Sequence, residues 1–361
     1  LGVALVKLLV MGYLLGSNLA TDVPIYILAL VIGIYQIFHA SINLVTYVLY
    51  RKNKIRPRFR FLLDGLVLVF LGGTSLLSST GNSVFQLFVL GAYFCLYGVS
   101  NIRDGFLFEK EIGKNHLKRR VRMSLPIALA ALIPASNLAK INKFMQENAD
   151  EEEEIYLGMV KFGKTADLEI FVHTAETSLF SAIGHVDLCY QGRVISYGNY
   201  DPSSETLFGM VGDGVLYFCD RDKYIDLCKR ESQKTLFGYG IDLTPEMEEA
   251  VQEKLAELKQ LTIPWEPSAD KIKTEDGKED YTYAYKIRHE TDGELYKFIK
   301  SKFKSYFVLS TNCVLLADTI VGQAGTDILS PKGFIAPGTY QAYLDREFEK
   351  PNSIVVSKHV Y

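Results

Sequence analysis

The chain has 361 residues, of which 48% are hydrophobic, and its formal net charge at pH 7 is −3. This charge argues against polyanionic partners such as nucleic acid, and no basic-aromatic patch, phosphate-binding glycine loop or paired CxxC spacing is present, so the sequence predicts no cofactor. The mean hydropathy of +0.09 averages two unlike halves. Long apolar runs fill the first 140 residues, whereas the remainder has a mixed, soluble composition.

Five apolar runs occupy the first half of the chain, at residues 1–20, 24–50, 61–79, 83–102 and 121–139. Each is long enough to cross a hydrocarbon layer that needs about 20 residues. A signal peptide would explain only the first run, and five runs in succession are too many for a soluble core. We therefore predict a multi-pass α-helical membrane domain of about five spans over residues 1–140. It would lie in the lipid bilayer and would offer a surface for forming an oligomer.

The membrane half contains an internal repeat, because residues 32–44 align with residues 90–102. Each copy follows an apolar run and a short polar turn, so the repeated unit is a helical hairpin. Small residues such as Gly33, Ala40, Gly91 and Gly98 would allow its helices to approach closely. These hairpins resemble those of the HdeD acid-resistance membrane family.

The distribution of basic residues predicts the orientation in the membrane. Lysine and arginine cluster at residues 51–60 and 110–122, whereas the other two short loops carry none. The positive-inside rule places the basic loops in the cytoplasm, and an odd number of spans then delivers the C-terminal half to the extracytoplasmic side of the cell membrane. Pro126 and Pro134 lie in the fifth run. If this run re-enters the membrane without crossing it, the C-terminal half is cytoplasmic.

An acidic run at residues 150–154 marks the boundary between the halves, and we interpret residues 141–156 as a solvated linker. Residues 157–361 then form a second domain in which short β-rich runs predict a sheet. A helical insertion is expected near residues 220–290. There Thr244 is a helix N-cap followed by Pro245 at the first helical position, and an apolar stripe continues to about Leu261.

Residues 184–200 predict a β-hairpin that carries a histidine. Val186, Leu188 and Tyr190 alternate with His185, Asp187 and Cys189, and Gln191-Gly192 supplies the turn. His185 should therefore point away from the apolar face of its strand. Three alternate residues, His185, Asp187 and Cys189, share that face and could form a metal site, but ligands stacked along one strand diverge and no fourth ligand is evident.

Residues 305–318 predict a strand that turns directly into a helix. Ser310, Thr311 and Asn312 are N-cap residues, and apolar residues with helical spacing follow them. Cys313 thus lies in the first turn, where free backbone N–H groups and the helix dipole favour a thiolate. A lone cysteine is more often a small buried hydrophobic residue, so the histidine on the hairpin is what points to nucleophilic catalysis.

The order of these residues, with His185 on a hairpin and Cys313 opening a later helix, resembles the circularly permuted papain-like hydrolases. That family includes the NlpC-type amidases and the lecithin:retinol acyltransferase-like enzymes, and Gly184-His185 and Thr311-Asn312-Cys313 match its plan. The resemblance covers roughly the last two hundred residues. It implies an α+β permuted papain-like domain in which Cys313 is the nucleophile and His185 is the base.

The residue that orients His185 depends on the register of the hairpin. A two-residue turn at Gln191-Gly192 places Ser196 on the face of His185, whereas a three-residue loop brings Tyr197 opposite it. Glutamine is a poor first residue for a tight primed turn, so we predict Tyr197 as the third catalytic residue.

Together these features predict a membrane-anchored cysteine hydrolase, an amidase or peptidase acting on cell-envelope peptides. A lipid-directed thiol acyltransferase or acyl hydrolase would use the same residues on a lipid substrate. A third hypothesis is a non-enzymatic stress-response membrane protein whose outer domain binds a partner. The sequence does not name the bond cleaved or the acyl acceptor.

Overall fold

The computed structural model describes residues 22–56, 58–77, 88, 91, 95, 159–160, 166–173, 185–232, 236–273, 277, 279–322, 341, 344–345, 347–350 and 353–361. The chain divides into two compact units, Leu1–Gly113 and Lys114–Tyr361. The predicted acidic linker, the fifth apolar run and the second copy of the hairpin repeat, apart from residues 91 and 95, lie outside the described residues.

The described part of the first unit is a pair of helices, α1 (Asp22–Lys52) and α2 (Phe59–Leu77). Both are almost continuously apolar, and Arg51 and Lys52 in the last turn of α1 complement the negative end of its dipole. The two helices pack antiparallel, since Gly33 of α1 faces Leu76 while Leu44 faces Gly65 of α2.

Glycines allow the close contact between these helices. A Cβ atom at Gly72 would lie 2.9 Å from Cγ1 of Ile37, and one at Gly65 would lie 2.9 Å from Cδ2 of Leu44. Ala40, which is fully buried, lies on the same interface. Small residues at a helix interface let the backbones approach, which is the usual basis of helix association in membranes.

The prediction of about five membrane spans is wrong for the structure as described. Among the described residues, two helical segments are long and apolar enough to cross a membrane, Ala29–Lys52 and Phe59–Leu77. They correspond to the predicted spans at 24–50 and 61–79. The other predicted spans, at 1–20, 83–102 and 121–139, lie almost wholly outside the described residues. The prediction rested on length and apolarity alone. Among the described residues, only these two helical segments meet both criteria.

The described part of the second unit contains the strands β1 (Met159–Val160), β2 (Leu168–His173), β3 (His185–Tyr190), β4 (Arg193–Gly198), β5 (Val211–Asp213), β6 (Val215–Asp220), β7 (Leu236–Ile241), β8 (Thr262–Pro264), β9 (Lys271–Lys273), β10 (Glu279–Tyr281), β11 (Glu294–Phe298), β12 (Ser305–Phe307) and β13 (Val355–Val360). Nine of them form one sheet in the order β1-β13-β7-β2-β3-β4-β6-β11-β8. Strands β5 and β12 form a separate pair, as do β9 and β10. Every pairing between these strands is antiparallel.

Helices cover both faces of this sheet. Helices α4 (Pro245–Gln260) and α6 (Cys313–Val321) bury Val251, Leu258 and Ile320 against one face. Helices α3 (Arg221–Ser232) and α5 (Tyr283–Glu290) bury Tyr224 and Ile287 against the other. Two hydrophobic cores result, one on each side of the sheet, and each fully buried aliphatic or aromatic side chain contributes about 1.5–3 kcal/mol. Central strands such as β7 are consequently buried along their whole length.

The predicted fold class is therefore corrected: the described chain has two apolar helices in place of five spans. They are followed by a nine-stranded antiparallel sheet between two helical layers, for which a papain-like core is not confirmed. Helix α4 begins where the sequence predicted, with the Thr244 side chain capping the N–H of Met247 at 3.4 Å. The segment predicted as a helical insertion near 220–290 contains α3, α4 and α5, but it also contains β7, which lies within the main sheet.

Candidate active site

Cys313 is the first residue of α6, and the segment before it is held rigidly by hydrogen bonds. Asn312 is the N-cap: its Oδ1 accepts the N–H of Leu315 at 3.1 Å and its Nδ2 donates to the carbonyl of Val308 at 3.0 Å. The Thr311 hydroxyl donates to the carbonyl of Ser305 at 2.9 Å. The run of cap residues seen in the sequence therefore fixes the helix start, and Cys313 itself is only 3% exposed.

His185 is the first residue of β3, in the interior of the sheet. It pairs directly with His173 on β2, so both imidazoles lie on the same side at the end of their strands. Their ring centroids are 5.7 Å apart. The His185 side chain is 25% exposed and that of His173 is 11% exposed, so the pair lies just beneath the surface.

Three oxygen atoms surround Nε2 of His185. The Ser196 and Tyr200 hydroxyls are each 3.0 Å away and in hydrogen-bond geometry. Asp187 Oδ1 is 2.8 Å away, in the geometry of an ion pair rather than of an aligned hydrogen bond. Since all three groups contact Nε2, we infer that Nδ1 is the ring nitrogen that faces Cys313.

Asp187 is buried and shared between two histidines. Its Oδ2 accepts a hydrogen bond from Nε2 of His173 at 2.7 Å and another from the Tyr224 hydroxyl at 2.5 Å. Burial raises the pKa of Tyr224 well above its usual value, so this hydroxyl stays protonated and remains a donor. A carboxylate taken out of water needs such partners, because an unpaired buried charge would be strongly destabilising.

The charges in this cluster stabilise one another. Burial by itself would raise the pKa of Asp187, but the positive charge on His185 and the hydrogen bond from His173 outweigh burial and hold that pKa well below its usual range. Burial would lower the pKa of His185, but the charges of Asp187 and Cys313 outweigh it and raise the pKa well above 6.5. The arrangement therefore favours an imidazolium at His185 that is paired with a buried carboxylate.

The structure thus brings Cys313 and His185 together, with side-chain hydrogen bonding as well as charge contributing to the raised pKa of His185. The backbone N–H groups of Cys313 and Val314 open the first turn of α6, where helical N–H groups lack partners within the helix. Leu315 N is already occupied by the Asn312 side chain. The two preceding N–H groups are consequently the ones available to an oxyanion that forms on a substrate bound at the sulfur.

The structure does not bring the hydroxyl of Tyr197, the predicted third residue, to the imidazole. Gln191 adopts a φ of 50° and Gly192 a φ of 72°, and Tyr190 pairs with Arg193, so the hairpin has a two-residue turn. The three-residue loop is therefore wrong, and Ser196 is the residue brought to His185. The Tyr197 hydroxyl instead donates to the carbonyl of Phe303 at 2.9 Å within the core beneath α6.

The hypothetical metal site on β3 is only half assembled. His185 and Asp187 are adjacent, but burial and the charge of Glu169 raise the pKa of Cys189 to about 12, and Cys189 borders a different cavity. That cavity, of about 300 Å³, lies at the turn end of the hairpin and so at the opposite end of β3 from His185. Within the part of the chain that the structure describes, no group of three His, Cys, Asp or Glu residues is arranged to hold a metal ion.

Comparison of the chain with protein-family models, with curated proteins and with solved structures finds no match. The chemistry of the site therefore rests on its own geometry.

Four residues of the site were not predicted in their present roles: Asp187 as the partner of His185, and His173, Tyr200 and Tyr224. The alternation along β3 already placed Asp187 on the face of His185, which was the one available signal. His173 and Tyr200 carried none, because their positions depend on how β2 and the segment after β4 meet β3.

Proposed function

We propose that the chain is a membrane-anchored cysteine hydrolase, an amidase or peptidase in which Cys313 is the nucleophile, His185 the acid and base, and Asp187 the residue that positions His185. One observation carries the proposal. Cys313, at a helix N-terminus, interacts with the imidazole of His185, and Nε2 of that imidazole is paired with the buried carboxylate of Asp187. This is the arrangement in which a base activates a nucleophile and is itself oriented.

In the acylation step, the Cys313 thiolate attacks the carbonyl carbon of an amide. A C–S bond forms, and the carbonyl electron pair becomes an oxyanion that accepts hydrogen bonds from the N–H groups of Cys313 and Val314. As the oxyanion collapses, the C–N bond breaks and the imidazolium of His185 gives its proton to the departing amine. The products of this step are a thioester on Cys313, a neutral imidazole and a free amine.

In the deacylation step, neutral His185 takes a proton from water, and the resulting hydroxide attacks the thioester carbon. The C–S bond breaks, and the sulfur leaves as a thiolate beside the newly formed imidazolium. The acid product departs and the starting ion pair is restored. Asp187 supports both steps, because its fixed negative charge stabilises the imidazolium and holds the ring so that Nδ1 faces the sulfur.

We propose an extracytoplasmic location for the catalytic unit, which would give it access to cell-envelope peptides. The basic segment between α1 and α2 supports this: Arg51, Lys52 and Lys54 are exposed there, and the positive-inside rule assigns them to the cytoplasm. A cysteine introduced at Asp222, in a background without native thiols, should react with an impermeant thiol reagent on intact cells. A cysteine at Lys54 is the control and should react only after lysis. Labelling of both only after lysis would reverse the proposed location.

The two apolar helices favour one alternative substrate class. Their presence would hold the site close to a bilayer. There the Cys313 thiolate could attack a lipid ester carbonyl, forming a thioester as the C–O bond breaks and the lipid alcohol leaves with the proton of His185. Water or an amine would then resolve the thioester. The machinery would be unchanged, and only the acyl donor and acceptor would differ. Peptide and phospholipid substrates must therefore be compared in one assay.

The decisive experiment uses membranes that contain the full chain, an electrophilic thiol probe, and peptidoglycan fragments and phospholipids as parallel substrates. Wild-type protein should be labelled at Cys313 and should turn over one substrate class. The Cys313→Ala variant should lose both labelling and turnover, while Cys228→Ala, which removes another buried thiol, should keep both. An unreactive Cys313 together with no turnover would favour the non-enzymatic binding protein.

A further inference from the structure

A short turn in the second unit exposes two large apolar side chains. Thr206 and Val211 pair as an isolated bridge, with N···O distances of 2.8 and 3.2 Å, and Leu207 and Phe208 lie at the apex between them. Phe208 is 93% exposed and Leu207 is 49% exposed. We refer to residues 206–211 as the apolar tip. Single exposed apolar residues are ordinary on protein surfaces, but here two neighbours extend from one apex.

The backbone of the apolar tip is strained in a way that packing within the described part of the unit does not explain. Leu207, Phe208 and Gly209 have φ angles of 50°, 58° and 80° in succession. Glycine adopts this left-handed region freely, whereas the Cβ of leucine or phenylalanine is crowded there. The apex therefore carries bulky apolar residues where smaller ones would be less strained, and it presents them to solvent instead of burying them in either core.

The apolar tip is joined directly to the segment that carries the nucleophile. The carbonyl of Met210 accepts the N–H of Val308 at 3.0 Å, and Val211 pairs with Phe307 in the β5–β12 ladder. Phe307 in turn accepts the N–H of Ser310, and its own N–H donates to Thr311. The short β5–β12 strand pair is therefore what separates Phe208 from the segment that begins α6.

The chemistry of the apolar tip favours a lipid bilayer over a protein as its partner. A stable protein interface buries about 800 Å² on each side, whereas an aromatic side chain supplies about 150–250 Å². Two side chains at a narrow apex are therefore too few for a protein surface but sufficient to enter the apolar layer of a membrane. The same chain provides α1 and α2, which are apolar enough to cross that layer.

The charges around the apex indicate the kind of lipid surface. No lysine or arginine occurs from Asp201 to Val215, and the carboxylate of Glu205 lies beside Gly209. Lys297 contacts this segment, but its ammonium is paired with both Asp201 and Asp213. Insertion would therefore rest on burial of the apolar side chains and not on attraction to anionic headgroups. We propose that Leu207 and Phe208 insert into the apolar layer of the bilayer in which the chain is anchored, and thereby hold the Cys313 segment at the membrane surface.

Tryptophan fluorescence of the full chain in phosphatidylcholine vesicles tests this inference. The chain has one tryptophan, so Trp265→Phe gives a silent background for Phe208→Trp. The matched control is Ile272→Trp in the same background, because Ile272 is an exposed apolar residue, 42% accessible, on the separate β9–β10 hairpin. Position 208 is almost fully exposed, so this substitution does not endanger folding.

In the same vesicles, the indole at position 208 should emit at shorter wavelength than the indole at position 272, and brominated acyl chains should quench it severalfold more. Adding phosphatidylserine should not increase the quenching. Equal quenching at the two positions would overturn the inference, as would a blue shift at position 208 without lipid quenching, which would indicate a protein contact. Flotation of the vesicles reports separately whether the chain is anchored. No step of the experiment needs enzyme activity. A failure of the apolar tip to insert is therefore distinguishable from a failure of the proposed hydrolase.

Discussion

Asp187 Oδ1 lies 2.8 Å from Nε2 of His185, two residues away on the same strand. Alternate residues of a strand share a face, so this proximity follows from the extended backbone of β3 alone. The neighbouring strand adds His173, whose Nε2 donates to the other oxygen of the same carboxylate. One buried carboxylate thus orients two imidazoles, and one of them, His185, interacts with Cys313.

The first prediction concerns this carboxylate. Asp187→Asn keeps the shape of the side chain but removes the charge that raises the pKa of His185. We expect kcat/KM to fall by about 10²–10⁴-fold, the usual contribution of acid-base catalysis. The alkaline limb of the pH–rate profile should also move to lower pH. Ser196→Ala is the matched control, since it removes an uncharged contact to the same nitrogen, and it should leave that limb in place. An unchanged profile in Asp187→Asn would exclude a positioning role.

A second prediction separates the two residues between which the hairpin register decides. Tyr197→Phe removes the hydrogen bond to the Phe303 carbonyl and should lower the free energy of unfolding by about 0.5–1.5 kcal/mol. Turnover per folded molecule should stay near the wild-type value, because the lost hydroxyl lies in the core. Thermal unfolding and active-site titration measure the two effects. Loss of turnover without loss of stability would restore Tyr197 as a catalytic residue.

The third prediction is the pH dependence of stability. The folded pKa of Asp187 is lowered, so its contribution is present above its unfolded pKa of about 3.9 and is lost as pH falls toward the folded value. The folded pKa of His185 is raised, so its contribution is complete below about 6.5 and is lost as pH rises through the folded value. The cluster should therefore stabilise the fold most between about pH 4 and 6.5.

Unfolding midpoints measured across the pH range, compared between wild-type and His185→Gln, provide the test of this pH dependence. The difference between the two proteins should be largest at mildly acidic pH and should shrink at alkaline pH. A difference that grew with rising pH would contradict the assigned direction of the His185 shift.

The fourth prediction concerns the helix pair of the first unit. Gly72→Leu should disrupt the packing of α1 on α2, because even a Cβ at this position would lie 2.9 Å from Ile37. Gly73→Leu is the matched control: among the described residues no atom lies within 4 Å of its Cβ position. The control removes a helical glycine and so should stabilise α2 by up to about 1 kcal/mol. Thermal stability in detergent should fall for the first variant only, and equal effects would show that this interface does not hold the helices.

Several features of the site were predictable because they depend on local chemistry. The cap residues before Cys313 and the alternation around His185 each specify an element over a few residues, so the sequence placed the thiol at a helix start and the imidazole on a strand. The register of the hairpin was not predictable in the same way. It depends on Gln191 adopting a positive φ, and the propensity of glutamine argued against that conformation.

The partners of Asp187 could not be predicted from the sequence, for a different reason. His173 and Tyr224 come from β2 and α3, and only the sheet order and the packing of α3 bring them to one carboxylate. The number of membrane spans was mispredicted for another reason. An apolar run of about 20 residues shows that a segment is able to cross a membrane, but it does not show that the segment does so.

The two-residue turn at Gln191-Gly192 also links correct folding to the geometry around His185. Ile195 and Tyr197 face the core beneath α6, and Val194 faces the opposite core. A slip of β4 by one residue would exchange these faces and would move Ser196 away from His185 at the same time. A mispaired hairpin would therefore lose its cores together with the contacts around His185. Any activity that depends on these contacts should consequently be found only in correctly folded protein.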